Sequence, residues 1–81
     1  MAYVYVLRSQ RNEKRYVGYT TKRPLERLAE HKSGTNRWTK QNGPFVLIHY
    51  EFFEDGKEAR KRERFLKSGQ GRKWLDESVP I

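Results

Sequence analysis

The sequence of 81 residues contains no cysteine. This absence excludes disulfide bridges and thiolate-ligated metal sites, and it is typical of proteins in a reducing compartment, so we expect a cytoplasmic protein. Long apolar runs are missing as well. The apolar part of residues 1–11 is too short for a signal peptide, and no segment approaches the ~20 apolar residues of a membrane span. We therefore expect a soluble protein without a membrane partner.

Acidic residues are scarce relative to basic ones. The chain has 10 Asp and Glu against 18 Lys and Arg, which gives a formal charge of +8. Such an excess favours a polyanionic partner, because basic surfaces attract phosphates over long distances and release counterions on binding. Charge alone also fits a ribosome-associated or membrane-surface protein. The aromatic content of 14% adds side chains that can stack on bases, so we expect a nucleic-acid partner.

The length is sufficient for one domain, which we place at residues 1–81, with one small core. β-Branched and aromatic residues at 3–7 and 16–19, separated by a polar turn, predict a β-hairpin. The most apolar stretch, Phe45–Phe53, predicts a central strand. With two predicted helices, these strands indicate an α+β fold class: a small α/β sandwich in which a three-stranded antiparallel sheet is flanked by helices.

The helices and loops are predicted from apolar periodicity and from helix start and stop signals. The predicted elements are a helix at 24–34 with the apolar stripe Leu25, Leu28 and Ala29, a polar loop at 34–44, a helix at 55–69 that Gly69 and Gly71 end, and a turn or short helix at 72–75 that returns to the core.

Alternation in the hairpin groups two tyrosines. Because strand side chains alternate between faces, a register that places Val17 beside the valines of the first strand also places Tyr16 and Gly18 beside Tyr5. An ordinary cross-strand aromatic pair would explain the tyrosines equally well. Gly18, however, weakens a strand and indicates that another group approaches its backbone closely.

Three further polar residues stand out in the predicted helices. Arg27 and His31 are four residues apart and project from the same helical face. Glu63 lies at the edge of the apolar stripe of the second helix rather than opposite it. The alternatives are a solvated face for the first two, near Glu26 or Glu30, and an ion pair with a neighbouring basic residue for Glu63.

The stretches "YVYVL", "RYVGYT", "RLAEHKSG" and "EARKRERFLKSGQGRKWL" resemble, in this order, the motifs of the GIY-YIG nuclease superfamily. The resemblance covers essentially the whole chain and is greatest to short stand-alone bacterial members. It extends to homing endonuclease catalytic domains and to the amino-terminal nuclease domain of the excision-repair incision subunit. This chain departs from the motifs at Tyr3, which replaces a glycine, and at Val4 and Val17, which replace isoleucines.

The resemblance implies metal-dependent hydrolysis of phosphodiester bonds, with DNA as the expected substrate, RNA as the open alternative, and DNA repair or recombination as the setting. It implies one Mg²⁺ or Mn²⁺ ion with Glu63 as its protein ligand. Either tyrosine or His31 could be the general base. The implied catalytic residues, expected on one concave face, are Tyr5, Tyr16, Arg27, His31 and Glu63.

Basic and aromatic residues near the first helix are candidate contacts to nucleic acid. These candidates are Arg23, Lys32, Arg37, Trp38 and Lys40. The alternatives to a nuclease are a non-catalytic nucleic-acid-binding module that retains the fold and a protein-interaction domain. A carboxylate among phosphate-binding residues argues for the nuclease, because simple phosphate binding needs no negative charge.

Overall fold

The computed structural model describes residues 1–32 and 37–79, the side chains of residues 37–39 excepted. Within these residues, the elements in chain order are β1 (Ala2–Ser9), β2 (Arg15–Thr20), α1 (Pro24–Lys32), α2 (Arg37–Asn42), β3 (Phe45–Phe53), α3 (Gly56–Lys67) and α4 (Gly69–Ser78). The strands form one antiparallel sheet in the order β2-β1-β3. The predicted α+β class, with a three-stranded sheet and flanking helices, is confirmed. In the described part of the chain, every helix is too short or too polar to cross a membrane.

The predicted position of Phe45–Phe53 as the central strand is wrong, because β3 lies at an edge and β1 is central. β1 is hydrogen-bonded on both sides, to β2 and to β3. The apolar character of β3 comes partly from aromatic residues that remain in solvent, since Tyr50 is 57% and Phe52 is 49% exposed. Hydrophobicity alone therefore did not indicate burial between two neighbouring strands.

The predicted loop at 34–44 is also wrong for residues 37–42, which form α2. Contacts with the hairpin turn hold the end of this helix: Ser9 Oγ donates to the Asn42 carbonyl, and Asn12 Nδ2 donates to Asn42 Oδ1 at 2.8 Å. These bonds join residues about thirty positions apart. Local sequence therefore gave no signal for them.

Gly69 and Gly71 do not simply end α3, as predicted, because both lie inside α4. Ser68 separates the two helices, and its hydroxyl accepts a hydrogen bond from the Gly71 amide at 3.1 Å, which caps α4. Gly71 also allows the helices to pack closely. A Cβ atom at this position would lie 1.9 Å from the Phe65 carbonyl oxygen. The predicted return of residues 72–75 to the core is confirmed by the buried Leu75.

The sheet has two different faces. The valine face carries Val4, Val6 and Val17, which pack against the buried Ala59, Leu66 and Leu75 of α3 and α4. The tyrosine face carries Tyr5, Leu7 and Tyr16, which pack with Phe45, Leu47 and Leu28 of α1. The predicted register is confirmed, because Val6 pairs with Val17 and Tyr5 pairs with Gly18.

Candidate active site

The Tyr5 hydroxyl is the centre of a buried polar cluster on the tyrosine face. Tyr5 is only 1% exposed, and its hydroxyl oxygen lies 2.8 Å from His31 Nε2. Arg27 Nε donates to the same oxygen at 3.3 Å. Arg27 and His31 come from successive turns of α1, as their spacing predicts. One strand and one helix therefore bring a phenol, an imidazole and a guanidinium into direct contact.

The helix meets the sheet through His31 rather than through the predicted leucine stripe. His31 is 1% exposed, whereas Leu25 is 70% exposed and Ala29 is also in solvent. Of the three predicted stripe residues, Leu28 alone packs on the tyrosine face. The local pattern therefore predicted the helix correctly and its buried face only in part.

Gly18 explains how the Tyr5 ring fits against the neighbouring strand. Gly18 is the cross-strand partner of Tyr5. A Cβ atom at this position would lie 2.4 Å from both Cζ and the hydroxyl oxygen of Tyr5, which is far closer than carbon atoms can approach. The group that approaches the Gly18 backbone is thus the Tyr5 ring itself.

Aromatic rings enclose the imidazole of His31. The ring centroid of Tyr16 lies 5.4 Å from that of His31 and 6.2 Å from that of Tyr5. Phe45 adds an edge contact at 6.1 Å from His31. Phe45 could not be predicted to lie in the site, because an aromatic residue at the start of an apolar strand carries no signal beyond core packing.

The surroundings set the protonation states of this cluster. Burial raises the pKa of Tyr5 to about 12, and the opposing hydrogen bond from Arg27 does not compensate. Burial, together with the positive charge of Arg27, lowers the pKa of His31 below 6.5. At neutral pH the phenol is therefore protonated and the imidazole is neutral. The phenol donates to His31 Nε2 when the imidazole carries its proton on Nδ1, and it accepts from Nε2 in the other tautomer.

Arg27 is held in a chain of charged side chains with Glu30 and Lys22. Its Nη1 donates to Glu30 Oε1 at 3.0 Å, and the other carboxylate oxygen of Glu30 contacts the Lys22 ammonium. These residues border a depression of about 270 Å³. The three-residue spacing of Arg27 and Glu30 in one helix predicts their ion pair. Lys22 lies outside the helix, so its contact with Glu30 could not be predicted from helical spacing.

Glu63 lies on α3, which packs against the valine face, and its carboxylate pairs with Lys67 Nζ at 3.1 Å. The other four predicted catalytic residues lie on β1, β2 and α1. The expectation that all five share one concave face stays a prediction. A groove of about 710 Å³ at the β2 edge is lined by both Tyr16 and Lys67, so it connects the two regions.

The described residues contain no group of three or more His, Asp or Glu side chains that could hold a metal ion. Mg²⁺ needs no such group, because it prefers oxygen ligands and is often bound by one or two carboxylates, substrate phosphates and water. Glu63 supplies a carboxylate whose described partner, Lys67, is about half exposed. Its chemistry therefore fits an ion that arrives with a phosphate.

Two predicted nucleic-acid contacts lie beside the cluster. Lys32 and Lys40 are exposed and line a groove of about 590 Å³ together with His31 and Phe45. Arg23 is exposed at the start of α1. The predictions for the side chains of Arg37 and Trp38 lie outside the described residues.

Comparison with known proteins places these features in a family. Residues 1–74 match the family model of the GIY-YIG catalytic domain. The chain belongs to this family. Its GIY-YIG domain has a nuclease fold, which supports a nuclease-type function and implies a nucleic-acid substrate.

Several UPF0213 proteins are similar to this GIY-YIG chain. One from Clostridium perfringens is 39% identical over 69 residues, which cover 83% of this chain and 71% of the relative. One from Enterococcus faecalis is 44% identical over 68 residues, with 80% and 75% covered. One from Natronomonas pharaonis is 42% identical over 67 residues, with 82% and 76% covered. No solved structure matches the chain.

Proposed function

We propose that this GIY-YIG protein hydrolyses phosphodiester bonds of nucleic acid, with DNA as the expected substrate, in a reaction that requires a divalent cation. The observation that carries this proposal is the buried Tyr5 hydroxyl between His31 Nε2 and Arg27 Nε. Phosphodiester hydrolysis needs a group that removes a proton from water and a positive charge near the phosphate. The cluster contains both.

The attacking water must lose a proton, and Tyr5 is unsuited to act as a phenolate. With a pKa of about 12, its ionisation at pH 7 would cost about 7 kcal/mol. A relay avoids this cost: the Tyr5 oxygen accepts the proton from water while the phenol proton moves to Nε2 of His31. The lowered pKa of His31 keeps its imidazole neutral and ready to accept at neutral pH. In this proposal His31 is the base and Tyr5 transfers the proton.

Arg27 supplies the fixed positive charge. Its side chain is held by Tyr5 and by Glu30, which together orient the guanidinium. A guanidinium has five N–H donors, so the two that make these contacts leave others for the phosphate oxygens. Hydrogen bonds to Tyr5 and Glu30 raise the pKa of Arg27, which keeps it charged. The guanidinium, already held in position, can therefore stabilise the negative charge that develops on the phosphate.

In this proposal Glu63 holds the divalent ion. A bound Mg²⁺ or Mn²⁺ would offset negative charge on the phosphate and on the leaving oxygen. Lys67 would have to release the carboxylate, and its ammonium can move into solvent because the Lys67 side chain is about half exposed, whereas that of Glu63 is only 17% exposed. The released ammonium could then contact the phosphate backbone in the groove at the β2 edge.

A cleavage assay tests this proposal. Labelled single-stranded, duplex and branched DNA, and a labelled RNA, are incubated with the protein and Mg²⁺, Mn²⁺ or a chelator. We expect cleavage only with a divalent ion, and we expect Glu63→Gln to abolish it, because an amide is a poorer ligand for a hard cation. Glu58→Gln is the matched control, since Glu58 also pairs with a lysine on α3 but is exposed. Metal-dependent cleavage that survives Glu63→Gln would contradict this assignment.

A non-catalytic nucleic-acid-binding module is the second candidate. The observation that favours it is the ion pair that already engages the Glu63 carboxylate, with Lys67 on the helix of the valine face. This candidate predicts tight binding without cleavage of any DNA or RNA substrate. It also predicts that Glu63→Gln leaves the affinity unchanged.

A further inference from the structure

One end of the tyrosine face is not covered by α1. There, β1 and β3 present three aromatic side chains, Tyr3, Tyr50 and Phe52, which we call the aromatic platform. Tyr50 and Phe52 are each about half exposed. Tyr3 holds them together by edge contacts, with ring centroids 6.4 Å from Tyr50 and 5.4 Å from Phe52. Contiguous exposed apolar surface of this kind marks interaction sites.

The platform is continuous with the candidate active site. Tyr50 is the cross-strand partner of Tyr5, and Phe52 is the partner of Tyr3. Directly paired residues of antiparallel strands lie about 5 Å apart on the same face of a sheet. The Tyr5 ring leans over Gly18 on the other side of β1, so a strand whose phosphate lies at the Tyr5 hydroxyl reaches Tyr50 by crossing β1.

We propose that the aromatic platform stacks against bases of an unpaired nucleic-acid strand whose phosphate lies at Tyr5, so the protein selects single-stranded nucleotides next to the bond that it cuts. This inference rests on the proposed hydrolytic function. Aromatic side chains bind bases by stacking, and every base offers a flat surface for it. In a duplex the bases are already stacked and paired, so they are not available to the rings.

A nucleic-acid strand fits this surface better than a second copy of the chain. From the usual area of aromatic side chains and their exposed fractions, the platform offers roughly 300 Å². Stable protein interfaces bury about 800 Å² on each partner. The net charge of +8 also favours a polyanion and opposes the approach of a second basic chain.

Binding measurements without metal test this inference separately from catalysis. Fluorescence anisotropy is recorded in a chelator with a labelled single strand, the same strand carrying abasic residues, and its duplex. We expect Tyr50→Ala/Phe52→Ala to weaken binding of the ordinary single strand about ten-fold or more, and to leave binding of the abasic strand and the duplex unchanged. Tyr50→Phe/Phe52→Tyr, which keeps both rings, is the matched control and should bind like the wild type.

The outcomes separate this inference from the proposed function. A wild type that cuts DNA but binds ordinary and abasic strands equally would overturn the platform and leave hydrolysis intact. A wild type that binds through the rings but cuts nothing would overturn hydrolysis alone. If the wild type self-associates in sedimentation and Tyr50→Ala/Phe52→Ala abolishes this, the platform is a protein interface and the inference is wrong. A wild type that binds none of the three probes overturns the platform, and the cleavage assay with a divalent ion then decides hydrolysis separately.

Discussion

The two faces of the sheet differ in what they bury. The valine face buries aliphatic side chains under α3 and α4, and an ion pair lies at its border. Arg62 there makes two hydrogen bonds to Glu51, at 2.9 and 3.1 Å, and lies over the Trp74 ring. The tyrosine face instead buries the Tyr5 hydroxyl and the His31 imidazole. Burial of polar groups costs free energy unless they are hydrogen-bonded, and the Tyr5 hydroxyl is hydrogen-bonded to His31 Nε2 and Arg27 Nε.

The largest effect should come from removing the positive charge of the tyrosine face. We expect Arg27→Ala to reduce the cleavage rate about 10²- to 10³-fold, because the phosphate loses a preorganised donor, with a smaller effect on affinity. Single-turnover kinetics would measure the rate, and anisotropy without metal would measure the affinity. Arg64→Ala, at an exposed arginine on α3, is the control and should keep the rate. Equal losses of cleavage rate in both variants would contradict the role of Arg27 as the phosphate donor.

The valine face should dominate stability. We expect Leu66→Ala to lower the free energy of unfolding by about 3 kcal/mol, because it leaves a cavity where a fully buried side chain packs. Leu25→Ala, at a leucine that is 70% exposed, should change it by less than about 0.5 kcal/mol. Urea unfolding followed by circular dichroism would measure both. Similar values for the two variants would contradict the assignment of the core.

Gly18→Ala should damage the tyrosine face alone. The added methyl group would collide with the Tyr5 ring, whose hydroxyl is held by two hydrogen bonds. We expect a loss of about 1 to 3 kcal/mol in unfolding free energy and a fall in cleavage at least as large as that of Tyr5→Phe. Urea unfolding and the cleavage assay would check both effects. Retained activity in Gly18→Ala would show that the Tyr5 ring position does not matter.

The two faces should also differ in their response to acid. The folded-state pKa of His31 lies below its ordinary value of 6.5, so the unfolded state binds more protons as pH falls through this range. The contribution of neutral His31 to the free energy of unfolding is fully present above pH 6.5, and it is lost as the pH falls below this value. Glu51 on the valine face has a pKa below 4.5, despite the opposing effect of burial, because Arg62 and His49 donate to it. Its contribution is lost only below 4.5.

Stability measured against pH checks this difference. In the wild type the free energy of unfolding should fall as the pH drops below 6.5. We expect His31→Gln to reduce this fall, because the buried imidazole is removed. Glu51→Gln should retain this fall and alter only the loss below 4.5. An unchanged pH profile in His31→Gln would contradict a buried neutral imidazole.

Strand alternation was sufficient to predict much of the tyrosine face. Once Val17 is placed beside the valines of β1, Tyr5 and Gly18 must be paired, and the structure has this register. Helical spacing likewise predicted that Arg27 and His31 share a direction. These predictions hold because they depend on periods of two and four residues along the chain, which local sequence carries directly.

Features that depend on distant partners could not be predicted in this way. Strand order is not encoded in hydrophobicity, so β3 was expected at the centre although it lies at an edge. The helical conformation of residues 37–42 depends on the contacts that Asn42 makes with the hairpin turn. The face that Glu63 occupies is set by the packing of its helix, and a motif match gives no such geometry.

The central claim is that the Tyr5 hydroxyl transfers a proton during metal-dependent phosphodiester hydrolysis. The most direct test is the single-turnover cleavage rate of Tyr5→Phe in Mg²⁺, with its affinity for the same labelled strand measured in a chelator. The variant keeps the ring on Gly18 and removes only the hydroxyl that contacts His31 and Arg27. We predict a rate at least about 10²-fold below that of the wild type at an unchanged affinity. A Tyr5→Phe variant that cuts as fast as the wild type would contradict the claim.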